Sequence, residues 1–166
     1  MKKILLPALI FLLLIAGIVC FFTLRDSEEA KVKKVLQTLC RMASKNRGEN
    51  AAAAALMISR TDRIFAGEFD IDIGQGMFNG KLNPTKMTSE LARYRAIFEQ
   101  VAVKAQDIEI SFPDPAQAAV IFSGTLQGTT KNGKSISEAR DVECLLIKQP
   151  NGWLISRLII RAVLER

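Results

Sequence analysis

Four polar side chains have the types that proton-transfer chemistry on an apolar substrate requires. A carboxylate kept basic inside an apolar pocket can take a proton, and a hydroxyl beside it can stabilise the oxyanion that develops. Tyr94 can supply the hydroxyl, while Asp62, Asp107 or Glu109 can supply the carboxylate. Nothing in their neighbouring sequence singles out one of these residues. Tyr94 also lies on an apolar helical stripe, where packing in the core is the simpler interpretation, so the sequence assigns no catalytic residue.

Two glycine-containing segments come near to nucleotide-binding motifs. Residues 128–135 have the spacing of a phosphate-binding loop, in which backbone amides and a lysine hold the phosphates. The residues that follow lack a helical apolar stripe, so a β-hairpin is predicted there instead. Gly74, Gly76 and Gly80 approach a dinucleotide fingerprint, but the last glycine is one residue late. A flexible loop is predicted for this segment, and no cofactor is expected.

Three carboxylates alternate along a predicted strand. Glu68, Asp70 and Asp72 share one face of that strand and could offer oxygen ligands to a hard cation. Calcium and magnesium ligands come more often from loops that wrap around the ion. A solvated strand face is therefore favoured, and no metal is predicted.

The absence of histidine removes several kinds of site. A Ser-His-Asp triad, a histidine base and a histidine zinc site are all impossible. Cys40 and Cys144 lack the paired spacing of a metal site, and two buried thiols are the default interpretation. If the domain is exported, a Cys40–Cys144 disulfide is the chemically permitted alternative.

The net charge is mildly positive. Without Lys2 and Lys3, 21 basic residues face 17 acidic ones, and they are spread along the chain. This distribution is not typical of a nucleic-acid-binding protein, and no nucleic acid is predicted as a partner. Attraction to anionic lipid headgroups explains the bias equally well. The cluster of Lys31, Lys33 and Lys34 is interpreted as a solvated helix face.

Residues 4–24 carry no charge and only one polar side chain, Thr23. A helix of this length spans a bilayer, so residues 1–25 are predicted to be a transmembrane signal anchor. The domain is then expected on the extracytoplasmic side of a bacterial inner (plasma) membrane, held by a single pass. A cleaved signal peptide is the alternative, although residues 16–20 contain no Ala-x-Ala site. Lipid attachment at Cys20 is disfavoured by the bulky Val19 before it.

The spacing of apolar residues predicts the elements of residues 26–166. Helices are expected over about residues 26–48 and 51–65, and over 83–101, where Asn83 is the cap and Pro84 the first residue. A short strand is expected over residues 67–73, followed by the loop of residues 74–80.

Four further strands are expected after residue 108. The turns between them are predicted at residues 113–115, 132–133 and 150–152. The Asn132-Gly133 dipeptide suits a type I′ turn. Trp153, which opens the last strand, is expected in the core with its indole N–H hydrogen-bonded nearby.

This order of elements resembles the nuclear transport factor two-like, or cystatin-like, superfamily over about residues 27–166. The final hairpin, residues 144–158 with its Gly152-Trp153 turn, is the most familiar part. The resemblance implies an α+β cone in which about three helices pack on a curved, mainly antiparallel sheet. Members of the superfamily include isomerases, cyclases and dehydratases as well as modules that bind only proteins, so the fold leaves the function open.

Two functions follow from these expectations. The favoured one is a non-catalytic, membrane-anchored interaction domain that binds a protein partner or a second copy of itself. The alternative is a small apolar-ligand binding protein, or an isomerase- or cyclase-like enzyme, that uses the interior of the cone. A cavity above about 300 Å³ lined by an ionisable side chain would favour the alternative.

Overall fold

The structure, a computed structural model, describes residues 28–74 and 78–162. The predicted membrane segment, residues 4–24, lies outside the described residues. Within the described part of the chain, no helix is both long enough and apolar enough to span a bilayer.

Three α-helices and one short 3₁₀ helix are described. Helix α1 comprises residues 28–43, α2 is Ala51–Ile58 and α3 is Pro84–Ile97, while Thr61–Arg63 forms the 3₁₀ helix. The Asn83 side chain accepts a hydrogen bond from the amide of Lys86, which confirms the predicted cap of α3.

Six strands form one sheet. They are β1 (Phe65–Ile73), β2 (Phe78–Leu82), β3 (Phe98–Asp114), β4 (Gln117–Thr130), β5 (Ser135–Gln149) and β6 (Gly152–Ala162). Their order across the sheet is β2-β1-β6-β5-β4-β3. Only β1 and β6 pair in parallel, so the predicted mainly antiparallel sheet is confirmed.

Helices cover one face of this sheet and form the core with it. Val32 and Leu36 of α1 are fully buried, and so are Val120 of β4 and Leu146 of β5. These four side chains belong to one apolar cluster that includes residues from α3 and from strands β1, β4, β5 and β6. The predicted α+β architecture of helices on a curved sheet is therefore correct.

Two of the predicted helices are too long at their carboxyl ends. Helix α1 ends at residue 43 rather than near Gly48. Helix α2 ends at Ile58, and Phe65, predicted to be its last apolar residue, begins β1 instead. The backbone of this segment is hydrogen-bonded to β6, because the Ile155 amide donates to the Ile64 carbonyl at 2.8 Å. Pairing with a strand distant in sequence overrides the local apolar spacing.

The predicted third helix and the predicted loop also contain strands. Helix α3 ends at Ile97, and Phe98 and Val101, assigned to it from their spacing, belong to β3. Residues Phe78–Gly80 of the predicted loop are part of β2, which pairs with β1. Gly76 lies outside the described residues.

The Asn132-Gly133 turn joins β4 to β5 as predicted, but its type differs. Among the described residues, Gly133 has a positive φ of 82° and Asn132 does not, whereas a type I′ turn requires both. The Thr130 amide donates to the Lys134 carbonyl at 2.9 Å and closes the turn. Residues 128–135 therefore form a hairpin, and no phosphate-binding loop is present in this segment.

Candidate binding groove

The residues considered for proton transfer do not meet in one site. Asp62, Asp107 and Glu109 are all exposed, and they lie in the 3₁₀ helix and in β3. Tyr94 lies on α3, where its ring is 5.2 Å from that of Phe98. The described residues place none of the three carboxylates in an apolar pocket beside the tyrosine hydroxyl.

The hydroxyl of Tyr94 is nevertheless unusual. It is buried, and no described residue hydrogen-bonds to it. Burial raises the pKa of Tyr94 to about 12, and the carboxylate of Glu138 adds to the shift. Glu138 itself is bound by Arg140 at 3.0 Å. Sequence analysis missed both of these β5 residues, because neither lies in a motif.

Two of the three alternating carboxylates of β1 serve as ion-pair partners. Glu68 contacts Lys81 of β2 at 3.4 Å, and Asp70 contacts Arg157 of β6 at 3.5 Å. Both pairs are exposed to solvent. The described residues contain no group of three or more side chains suited to holding a metal ion.

Both cysteine thiols of the described chain are free. Cys40 of α1 is half-buried and Cys144 of β5 is buried, so the predicted buried thiols are present and the alternative disulfide is not formed. Burial raises the pKa of Cys40, and it raises that of Cys144 to about 12. Both groups are therefore poor nucleophiles at neutral pH.

A groove of about 850 Å³ lies between α1, α2 and the β5–β6 hairpin. We call it the α1–α2 groove. Its apolar lining includes Val35 and Met42 from α1, Met57 from α2, Ile64, and Trp153 from β6. Leu56 of α2 also lines it and is 59% exposed. This volume lies within the range of ordinary small-molecule sites.

The charged lining of the groove is almost entirely basic. Six basic side chains and one acidic side chain line it: Lys31, Lys34, Arg41, Arg60, Arg63, Lys148 and Glu28. The groove thus carries a net charge of +5, close to the +6 of the whole chain. The charge is concentrated here rather than spread evenly. Sequence analysis missed this concentration because the residues come from three distant segments of the chain.

Four of these cations have no ion-pair partner among the described residues. They are Lys34, Arg41, Arg60 and Arg63, and all four are exposed. By contrast, Lys31 and Lys33 of the predicted solvated cluster are each paired with a glutamate of α1 at 2.7 Å. The unpaired cations of the groove are available to a negatively charged ligand.

Glu28 joins α1 to the hairpin at one end of the groove. Its carboxylate accepts hydrogen bonds from the indole Nε1 of Trp153 at 2.7 Å and from Lys31 at 2.7 Å, and it contacts Lys148 at 3.1 Å. The hydrogen bond from Lys31 is the largest cause that lowers the pKa of Glu28 to about 2, and the contacts from Trp153 and Lys148 lower it further. The prediction that Trp153 is buried with its N–H hydrogen-bonded is confirmed.

The basic side chains of the α1–α2 groove lie on a different side of α1 from its fully buried residues, although Met42, Ile64 and Trp153 of its lining belong to the apolar core. At 100° per residue, Lys34 and Arg41 are turned well away from Val32 and Leu36. The groove is larger than about 300 Å³ and is lined by ionisable side chains, as expected of a ligand site. However, it lies beside the apolar packing between α1 and the sheet. The sequence placed any such site inside the cone.

Comparison with known proteins identifies the fold. No protein-family model matches the chain, and no curated protein matches its sequence. Similar solved structures include an NTF2-like superfamily protein from Salmonella enterica (TM-score 0.66, 10% identity, 85% of this chain and 94% of that one). An NTF2-like protein with a cystatin-like fold from Novosphingobium aromaticivorans has a TM-score of 0.67 at 10% identity, covering 87% and 88%.

An enzyme has the same fold. The hexachlorocyclohexane dehydrochlorinase LinA-type3 of Novosphingobium barchaimii matches with a TM-score of 0.67 at 11% identity, covering 84% of this chain and 89% of that one. At these identities the similarity establishes the fold alone. The described domain thus has the nuclear transport factor two-like, cystatin-like fold that its sequence resembles.

Proposed function

We propose that this protein is a membrane-anchored binding domain that holds a small organic anion with an apolar portion in the α1–α2 groove. The observation that carries the proposal is the composition of that groove. About 850 Å³ of space combines an apolar floor with a net charge of +5. Sites that bind small molecules usually pair an apolar lining with a few polar groups that fix the orientation of the ligand.

The unpaired cations indicate the charge of the ligand. Exposed lysine and arginine side chains repel one another when they are gathered around one concavity, and an anion relieves that repulsion. Arginine also binds carboxylate and phosphate with two parallel hydrogen bonds. Arg60 and Arg63, three residues apart, offer this geometry from the stretch that follows α2.

The membrane anchor rests on the sequence. Residues 4–24 are long enough and apolar enough to span a bilayer, and only residues 25–27 separate them from the first described residue of α1. The extracytoplasmic position of the domain and its pairing with a protein partner or a second copy stay predictions.

Binding is favoured over catalysis by the positions of the ionisable groups. The one carboxylate of the groove, Glu28, has its pKa lowered to about 2 and is held by three donors, so it is a weak base. Tyr94, the candidate donor, does not line the groove. The proposal keeps the small-ligand binding of the alternative function, but it places the site in a groove beside the cone instead of in the interior and gives the ligand a negative charge.

The test uses the full chain in nanodiscs of phosphatidylcholine. Hexyl phosphate is the charged amphiphilic probe and hexanol its uncharged match. Trp153, the single tryptophan of the chain, lines the groove and reports binding by its fluorescence. We expect saturable binding of hexyl phosphate and much weaker binding of hexanol.

Charge reversals locate the site. Lys34→Glu combined with Arg60→Glu is expected to weaken hexyl phosphate binding at least about tenfold, because two attractive charges become repulsive. The matched control is Lys104→Glu combined with Lys131→Glu, which changes the net charge equally at exposed residues outside the groove. Absence of saturable binding, or equal loss in both variants, would contradict the proposal.

A further inference from the structure

We infer that the anion held by the α1–α2 groove is the phosphate of an anionic phospholipid, taken from the bilayer that holds residues 4–24. This inference rests on the proposed function and names the chemical class of its ligand. Three features of the described residues and the sequence support it: the length of chain between the membrane segment and the groove, the placement of the unpaired cations, and the exposed apolar side chain between them.

The chain length places one end of the groove close to the membrane. Glu28 lines the groove, and only residues 25–27 separate it from Leu24, the last residue of the apolar segment. Four residue steps span at most about 14 Å even when fully extended. Because Trp153 and Lys148 contact Glu28 directly, they are tethered to the same position. This end of the groove must then lie beside the headgroup layer.

Three of the four unpaired cations lie near that same end, whereas Arg41, 13 residues from Glu28 along α1, lies farther away. The amide of Ile155 is hydrogen-bonded to the carbonyl of Ile64, which places Arg63 next to the start of β6 and therefore near Trp153. Lys34 lies less than two helical turns from Glu28 along α1. Arg60 and Arg63 complete the cluster from the stretch after α2.

A phospholipid matches both the charge and the apolar character of this end. Basic residues close to a membrane surface attract anionic lipid headgroups electrostatically. The apolar floor, together with the 59% exposed side chain of Leu56, offers contact to the glycerol backbone and the first acyl carbons. A soluble anion would meet the same cations, but it lacks the high local concentration of phosphate that the headgroup layer supplies.

The experiment measures how closely Trp153 approaches lipid headgroups. The full chain is placed in nanodiscs that contain phosphatidylcholine spin-labelled on its headgroup, with or without phosphatidylglycerol. We expect quenching of the Trp153 emission to rise by at least about 1.5-fold when phosphatidylglycerol is added, because the groove is drawn onto the headgroups. Lys34→Glu combined with Arg60→Glu is expected to abolish this rise.

The control variant, Lys104→Glu with Lys131→Glu, is expected to retain the rise in quenching on addition of phosphatidylglycerol. Soluble glycerol 1-phosphate, added to nanodiscs without phosphatidylglycerol, distinguishes the two sources of phosphate, since it should not raise the quenching because it does not draw the groove onto the bilayer. Quenching that is independent of phosphatidylglycerol, or a rise that survives the groove reversal, would overturn the inference.

The outcome separates this inference from the proposed function. If hexyl phosphate binds in the groove while phosphatidylglycerol has no effect, the ligand is a soluble anion and only the lipid assignment fails. If neither binds, both fail.

Discussion

Helix α1 has a buried apolar face and an exposed basic face. Toward the sheet it places Val32 and Leu36, which are fully buried in the apolar core. Toward α2 it places Lys34 and Arg41, which are exposed and have no ion-pair partner among the described residues. The core face is apolar and buried, whereas the groove face carries exposed charges that have no ion-pair partner among the described residues. This difference supports the proposal that a ligand binds in the groove rather than inside the packed cone.

Truncation of a core residue should produce the largest loss of stability. Leu36→Ala is expected to lower the free energy of unfolding by about 2–5 kcal/mol, because it removes buried methyl groups and leaves a cavity. Leu56→Ala, on the groove, should cost less than about 0.5 kcal/mol, since that side chain is 59% exposed. Urea unfolding followed by Trp153 fluorescence measures both. Equal losses would contradict the distinction between the buried core and the exposed groove.

Arg95, a buried cation with hydrogen-bond partners, contrasts with the unpaired cations of the groove. Arg95 of α3 is 5% exposed and donates to the carbonyls of Met42 (2.7 Å) and Ser44 and to the carboxylate of Glu49. Glu49→Gln should cost about 3 kcal/mol, because it leaves a buried guanidinium without its counter-charge. Glu99→Gln, which removes the partner of the exposed Arg47, is the control and should cost less than about 1 kcal/mol. A similar cost for both variants would contradict this assignment.

Glu28 lies at the boundary between the two regions and gives a prediction about pH. Its folded pKa of about 2 lies below the ordinary value of 4.5, so the carboxylate stabilises the fold above pH 4.5. That stability is lost as the pH falls toward 2. The pKa shift corresponds to at most about 3 kcal/mol of stabilisation by the carboxylate. Because Glu28 is partly exposed to solvent, Glu28→Gln is expected to lower the free energy of unfolding by about 2 kcal/mol at pH 7.

The measurement is the difference in unfolding free energy between wild type and Glu28→Gln as a function of pH. It should be constant from pH 7 to about 5 and shrink toward zero near pH 2. Glu29→Gln, which removes an exposed i,i+4 pair with Lys33, should show a difference below about 0.5 kcal/mol throughout. A difference for Glu28 that persists below pH 2 would show that its charge is not the cause.

The reaction rates of the two thiols test how closely the core is packed. Cys144 is 3% exposed and Cys40 is half-buried, and burial raises the pKa of both. Cys144 should react with iodoacetamide at pH 8 only after unfolding, and Cys40 more slowly than a free thiol. Mass spectrometry of labelled peptides checks this. Rapid labelling of Cys144 in the folded protein would contradict the close packing of the core.

The sequence predicted what local periodicity and capping control. The apolar stripe of α1, the alternation of Phe69 and Ile71 in β1, the Asn83 cap and the buried Trp153 are all as expected. The beginning of β3 was not predicted, because Phe98 and Val101 are spaced three residues apart and fit a helix equally well. Only their long-range pairing with β4 makes them a strand.

The groove could not be predicted for a related reason. Its lining comes from α1, from the segment between Ala53 and Ile64, and from the hairpin around Lys148. The basic residues of these segments are unremarkable in isolation, and folding alone brings them together. The contact between Glu28 and Trp153, 125 residues apart, likewise has no signal in either local sequence.

The most direct test of the central claim is a crystal structure of the protein soaked with 6-bromohexyl phosphate. The bromine gives an anomalous signal that locates the apolar end of the ligand independently of the surrounding density. We predict the bromine beside Met57 and Trp153, with the phosphate between Lys34 and Arg60. A bromine signal between α1 and the sheet, beside Tyr94, would contradict the account and return the ligand site to the interior of the cone.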